Sequence, residues 1–300
     1  MRSLKVRKSL AYKMKILLFI LFAQKCFSFD IPRTDCKTDL KIDNDHYNVT
    51  NTFETNNGYP NDIHVDDHGN IFYVEVGIDS SGYYFNARVI EANSTIPQKI
   101  PGLPEGITYS IAIDKNNQIV YFSTGEGIFI YNYETQNVTL ISKPNDSFNM
   151  IFVDKDGNKY VTKNIDGIEE VYLLTGENKI RFKSLEALEE MAIDDKNNFY
   201  FIRDDKLFVL KSNLSSPFVL GNVTFDGMAQ ISFFNEKIFV ASHNLTYFHE
   251  NDTKYMKITE NAPDKISAVT FDKNGNLLLG VHGKLLQYKK HHCYLRNNEA

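Results

Sequence analysis

The stretch Ile151-Phe-Val-Asp-Lys-Asp-Gly-Asn-Lys-Tyr-Val161 reads as strand, tight turn, strand. Branched and aromatic residues flank a polar cluster. In that cluster Asp154 can accept bonds from the backbone ahead of it, and Gly157 and Asn158 tolerate positive φ. The same phrase recurs as Ile63-His-Val-Asp-Asp-His-Gly-Asn-Ile-Phe-Tyr-Val74 and Ile111-Ala-Ile-Asp-Lys-Asn-Asn-Gln-Ile-Val-Tyr-Phe122. It returns as Met191-Ala-Ile-Asp-Asp-Lys-Asn-Asn-Phe-Tyr-Phe201 and Val269-Thr-Phe-Asp-Lys-Asn-Gly-Asn-Leu-Leu-Leu279. A degenerate copy, Ile231-Ser-Phe-Phe-Asn-Glu-Lys-Ile-Phe-Val240, has Phe234 where the others have Asp66, Asp114, Asp154, Asp194 and Asp272. The steps between these positions are 48, 40, 40, 40 and 38 residues.

Two more strand-like runs follow within a unit, such as Gly127-Ile-Phe-Ile-Tyr131 and Val138-Thr-Leu-Ile141. Four strands in about 40–45 residues is the period of a propeller blade. Six copies predict an all-β chain, a six-bladed β-propeller with four-stranded antiparallel blades. Tyr47-Asn-Val-Thr50 and Phe53 precede the first copy and are expected to add an outer strand to the last blade, after Lys284-Leu-Leu-Gln-Tyr288. Helical spacing is confined to residues 184–191, through Leu185, Leu188 and Glu189.

Composition is consistent with this. In 300 residues, 42% are hydrophobic and 24% charged, which excludes a collagenous, disordered or multi-span membrane chain. Twenty-two Phe and 17 Tyr, with no Trp, supply strand-forming aromatics. Arg2, Lys5, Arg7, Lys8, Lys13 and Lys15 precede an apolar run from Ile16 to Ala23, too short for the ~20 residues of a membrane span. With small side chains at Cys26 and Ser28, residues 1–28 read as a secretory signal peptide, leaving residues 29–300 as one domain. Residues 1–28 hold seven of the 33 basic residues and no acid, so 26 remain against 38 acids, a balance of -12. Such a surface disfavours nucleic acid and anionic membranes and suits a secreted, extracellular monomer. Cys36 and Cys293 then form an even pair, expected as a disulfide between the ends of the mature chain. Eight sequons, at Asn48, Asn93, Asn137, Asn145, Asn213, Asn222, Asn244 and Asn251, predict a glycoprotein.

Catalytic motifs are absent: the chain has no G-x-S-x-G, H-E-x-x-H, Walker loop or G-x-G-x-x-G. Asp154-Lys-Asp156-Gly-Asn158 superficially resembles the start of a calcium loop but lacks its Gly and Glu spacing, so the repeated Asp is read as turn chemistry. His291-His292 is read as a solvated end. No cofactor and no metal are expected. In a propeller, the loops entering the first strand of each blade and leaving the second converge at one channel mouth. Here they carry Tyr59, Tyr109, Phe148, Lys163, Arg203, Asp226, His243, Lys265 and His282. Aromatic faces and cations together suit a planar aromatic anion.

Three features resemble the insect ommochrome-binding proteins, secreted pigment carriers of haemolymph. They are Ile71-Phe-Tyr-Val-Glu-Val-Gly-Ile-Asp-Ser-Ser-Gly-Tyr-Tyr-Phe-Asn-Ala87; the run Gly106-Ile-Thr-Tyr-Ser-Ile-Ala-Ile-Asp114 with Ile119-Val-Tyr-Phe-Ser123 and Gly127-Ile-Phe-Ile-Tyr131; and a lone Cys near each mature end. The resemblance implies non-covalent binding of a tryptophan-derived phenoxazinone pigment at the channel mouth, without catalysis. A rival resemblance is to metal-dependent lactonases of the gluconolactonase and senescence-marker type. Asp226-Gly-Met-Ala229 resembles their metal-binding D-G-M segment, and Asn145 or Asn149 would stand for their Asn ligand. Asn61 and Asp62 stand where that family has Glu-Gly-Pro. A third reading is a secreted interaction propeller similar to the yellow/royal-jelly group, whose usual cysteines are missing here.

Overall fold

A computed structural model describes residues 38–291, apart from residues 57, 144–145, 177, 226 and 250–251 and the side chains of residues 252–258. Two strands come first, β1 (Leu40–Ile42) and β2 (Asp45–Glu54). Five four-stranded sheets follow. They are β3 (Tyr59–Val65), β4 (Ile71–Asp79), β5 (Gly82–Ile90) and β6 (Gln98–Lys99); then β7 (Thr108–Asp114), β8 (Ile119–Thr124), β9 (Gly127–Asn132) and β10 (Asn137–Leu140). Next are β11 (Ile151–Val153), β12 (Lys159–Ile165), β13 (Ile168–Thr175) and β14 (Asn178–Arg181), then β15 (Glu190–Ile193), β16 (Phe199–Arg203), β17 (Lys206–Leu210) and β18 (Phe218–Asn222). The fifth is β19 (Gln230–Phe234), β20 (Lys237–Ser242), β21 (Asn244–His249) and β22 (Asp252–Ile258). The last sheet joins both ends of the described chain in the order β1, β2, β25 (Lys284–His291), β24 (Leu277–Val281), β23 (Ala268–Phe271).

The fold is all-β, with antiparallel pairing within every sheet. The last sheet departs from the expected four strands. As the sequence suggested, residues around Tyr47 and Phe53 pair with β25, Val49 opposite Tyr288 and Phe53 opposite Leu285. β1 then adds a fifth strand, Leu40 opposite Tyr47, because a tight turn at Asp43 (φ 53) folds the chain back. Residues 184–191 do not form a helix. They make one 3-10 turn, Lys183–Leu185, and then enter β15; Leu185 and Leu188 are buried beside Met191 and Phe201 instead.

The repeated Asp explains the turns. Asp154 Oδ1 accepts from the Asp156 and Asn158 backbone N–H groups (both 2.9 Å), and Oδ2 accepts from the Asn158 amide (2.9 Å). Asp66 with Asn70, Asp194 with Asn198 and Asp272 with Asn276 repeat the pattern. Gly157 supplies the positive φ (80°) that the turn needs. The degenerate copy works differently. Asn235 (φ 48) and Glu236 (φ 59) form a two-residue hairpin loop with both residues left-handed, the type I′ geometry that twists with its strands and needs no Asp. Turns also bond to the next sheet: Asn116 Nδ2 donates to Lys155 O (2.6 Å), and Asn197 Nδ2 to Asp156 Oδ2 (2.7 Å).

The core lies between sheets. Phe72 and Val74 of the first sheet pack on Val120 and Phe122 of the second, Tyr200 and Leu207 of the fourth on Ile238 and Val240 of the fifth. Ile63 and Tyr73 of the first also pack on Ala268 and Leu278 of the last. Each fully buried side chain of this kind stabilises by about 1.5–3 kcal/mol. The first strands touch in succession: β3 meets β7, β7 meets β11, and so on to β23, which meets β3 again. Gly280 marks that last junction, where a Cβ would collide with the Pro60 carbonyl.

Candidate functional site

The first strands surround a cavity of about 760 Å³, within the range of about 300–1,000 Å³ that suits a small organic ligand. Its position follows from the period-two geometry of a strand. One residue before the repeat's Asp position faces a neighbouring face, two before faces inward. Thus His64, Ala112, Phe152, Ala192, Ser232 and Thr270 all line the cavity. Three before lie Ile63, Ile111, Ile151, Met191, Ile231 and Val269, which are buried between sheets. Four before lie Asp62, Ser110, Glu190 and Gln230, polar residues where a strand buried on both faces would be apolar.

Most of these polar groups have structural work. The first strands do not pair with one another, so their backbone groups need side-chain partners. Gln230 Oε1 accepts from the Ile63 and Val269 N–H groups (3.1 Å each), and its Nε2 donates to Ile63 O (2.9 Å), tying β19 to β3 and β23. Ser110 Oγ accepts from Ile151 N–H (3.3 Å). Asp62 sits in a bulge of β3, between Asn61 and His64, with φ 47. Its Oδ2 accepts from Ile111 N–H on β7, and Oδ1 lies 2.7 Å from His64 Nε2.

Glu190 is different. It is half-buried and lines the cavity. Burial raises its pKa well above the ordinary carboxyl value, and the Asp62 charge raises it further; the Met191 backbone N–H opposes both. Above this floor Phe152 faces the cavity, and Tyr200, Phe233 and Phe271, packed between sheets, reach its edge. The rim is of mixed charge: it carries Lys115, Lys155 and Lys196 and also Asp195 and Glu236. The anchor carboxylates Asp114, Asp154 and Asp194 are occupied in their turns. A partly aromatic cavity with lysines at its rim can hold a flat molecule with a carboxylate toward solvent.

Of the nine mouth residues expected from the sequence, the eight that are described do not line this cavity. The structure brings some of them together elsewhere. Tyr59 and His282 have ring centroids 4.7 Å apart. The Lys163 ammonium lies 5.3 Å from the ring of Phe148, which is buried, and 2.8 Å from Asp146. Tyr109 packs edge-on against Phe85 (5.3 Å). Arg203 lies 4.7 Å over Phe208 and donates to Glu186 O (3.2 Å). His243 and Lys265 are exposed with left-handed backbones (φ 63 and 57). Asp226 lies outside the described residues, as do Cys36, Cys293, Asn145 and Asn251. Of the other sequons, Asn93, Asn137, Asn213, Asn222 and Asn244 are exposed and Asn48 is half-buried.

The lactonase ligand set does not assemble from what is described. Asn149 turns its amide N–H to Glu169 Oε1 (2.6 Å), and Asp62 is held by Ile111 and His64. Among the described residues no three His, Cys, Asp or Glu converge as metal ligands, and no helix is long and apolar enough to cross a membrane. Sequence reasoning missed Asp62, His64, Glu190 and Gln230 as a cavity floor. The available signal was their shared place, four or two residues before each anchor.

Comparison with known proteins adds the following. No protein-family model matches the chain. It is similar to the ommochrome-binding protein of Manduca sexta, with 25% identity over 191 residues, or 60% of this chain. The match spans 65% of that relative, less than two thirds of its length. Among solved structures it resembles a gluconolactonase of Xanthomonas campestris (TM-score 0.63, 11% identity, 84% of this chain and 91% of that one). It also resembles virginiamycin B lyase of Staphylococcus aureus (TM-score 0.52, 12% identity, 81% and 99%). At such identities these two show the fold alone.

Proposed function

We propose that this chain is a secreted carrier that binds an ommochrome-type (phenoxazinone) pigment non-covalently, and that the pigment sits in the channel cavity instead of among the loop-mouth residues. The six sheets are the blades of one six-bladed propeller over residues 29–300; contact of β23 with β3 and the packing of the last sheet on the first support this. One observation carries the functional reading. A cavity of about 760 Å³ with aromatic walls lies in a chain similar to an ommochrome-binding protein. Affinity comes mainly from buried ring area, and the lysine rim orients the carboxylate. Exposed sequons and the N-terminal segment support secretion and glycosylation.

The test is titration of the purified protein with oxidised xanthommatin, followed in the visible spectrum and by tyrosine fluorescence, with and without EDTA. Saturable, EDTA-insensitive binding near or below micromolar is expected. Absence of binding, together with metal-dependent hydrolysis of lactones that Asp226→Ala abolishes, would replace this reading with the lactonase one. Absence of both would leave a protein partner.

A further inference from the structure

We propose that N-linked glycans on Asn137, Asn213 and Asn222 cap the two outermost strands that carry no charge, β10 and β18, and so keep one copy of the chain from pairing edge to edge with another. The chain must pass through a secretory compartment to receive them, so this shield rests on the secretion proposed above.

The outermost strand of a sheet leaves a row of N–H and C=O groups unpaired, and charged side chains on that strand guard it against another chain. Here the outermost strands are β1, β6, β10, β14, β18 and β22. Four of them carry charge: Lys41 in β1, Lys99 in β6, Lys179 and Arg181 in β14, and Asp252, Lys254 and Lys257 in β22. β10 and β18 carry none. Residues 135–142 and 212–225, which contain them, hold no Asp, Glu, Lys, Arg or His and include several β-branched or aromatic strand formers. Leu214, Phe218 and Val219 are exposed in and before β18, and Ile141 just after β10. Sequons fall on these two strands. Asn137 opens β10, Asn222 closes β18, and Asn213 precedes β18 in the same uncharged stretch. β14, whose exposed Ile180 lies between Lys179 and Arg181, has no sequon. Strand alternation also turns the acceptor groups outward. Asn137 and Thr139, like Asn222 and Thr224, are exposed, whereas Val138 is half-buried and Val223 buried. At each Asn the side-chain nitrogen bonds to C1 of an oligosaccharide carried on a lipid diphosphate. The C1–O bond to the diphosphate breaks, the lipid diphosphate leaves and the amide gives up one proton. The bulky, hydrated sugar then covers an edge that the side chains leave bare.

The full chain is expressed in a secreting cell line, and peptide mass spectrometry of the secreted protein reads occupancy at each Asn. Sedimentation velocity reads self-association of the wild type, of a triple variant (Asn137→Gln, Asn213→Gln, Asn222→Gln) and of Asn244→Gln, whose exposed sequon lies on β21, an inner strand of its sheet. Asn137, Asn213 and Asn222 are expected to carry glycan. The triple variant is expected to self-associate at concentrations about tenfold lower than the wild type, and Val219→Lys added to it to reverse the association. Asn244→Gln is expected to behave as the wild type. If the triple variant is not secreted, enzymatic removal of glycan from the folded wild type supplies the same reading. Secreted protein that is bare at Asn213 and Asn222, a glycan-free chain that stays as dispersed as the wild type, or association of Asn244→Gln as strong as that of the triple variant would overturn the shield and leave secretion intact. Retention of the wild type inside the cells would overturn secretion, and the shield with it.

Discussion

The two ends of the sheets are built by different means. At the turn end, five Asp anchors fold their own hairpins through bonds to residues two to four ahead, and Asn116, Lys155 and Asn197 then bond one turn to the next. At the loop end the described residues show no repeated device. Tyr59 meets His282, Lys163 meets Asp146 over Phe148, and Arg203 of β16 lies on Phe208 of its partner strand β17, each a different arrangement. The regular end leaves room inside itself: its anchor carboxylates are consumed in turns, its side chains point alternately into the core and the channel, and the cavity results. The irregular end fills its space with its own aromatics and cations. The proposed binding site thus lies in the part that repeats, although loop residues look more like a site when read one at a time.

The largest expected effect tests whether the floor holds the turn end together. Gln230→Ala leaves three backbone groups of β3 and β23 without partners. At about 1–3 kcal/mol for each buried orphan, a loss of roughly 4 kcal/mol is expected in urea unfolding. A loss below about 1 kcal/mol would mean that water replaces the amide there. Next in size, Asp154→Ala removes the three turn bonds and should cost about 2 kcal/mol by the same measure. Arg203→Ala at the loop end should cost less than about 1 kcal/mol, since the guanidinium is only half-buried and its cation–π contact is partly solvated. Equal costs for these two would erase the contrast between the ends.

Glu190→Gln sharpens the comparison through pH. Its carboxyl has a raised pKa in the folded chain, so the folded state holds the proton more tightly than the unfolded one. Stability from this group is therefore present at low pH and is lost as pH rises from the ordinary Glu range through the folded pKa. The Gln variant should melt higher than wild type at neutral pH and no higher near pH 4, about the ordinary carboxyl value. The smallest effect concerns the exceptional turn. Glu236 holds φ 59, so Glu236→Gly should stabilise by about 0.5 kcal/mol. The analogous change at Lys155, an ordinary turn position, should not stabilise.

What could be read from the sequence follows the same division. The Asp-x-x-Gly/Asn-Asn phrase is local chemistry, so the turns, the strands beside them and the outer strand at Phe53 were legible. β1 was not, because its pairing depends on one left-handed residue, Asp43, with no special sequence around it. The 3-10 turn at Lys183–Leu185 kept the helical spacing of Leu185 and Leu188 without the helix, since both serve the core between sheets. Loop cations were conspicuous, whereas the floor was hidden inside strands. Asp62 and Glu190 look like strand edges until six copies are aligned on their anchors.

In the proposed carrier the ligand occupies the channel and not the loop mouth. Xanthommatin titration of Ala192→Phe beside Arg203→Ala separates the two places. The cavity-filling variant is expected to lose binding while Arg203→Ala keeps wild-type affinity. Lost affinity in Arg203→Ala with full binding by Ala192→Phe would contradict it and return the site to the loops.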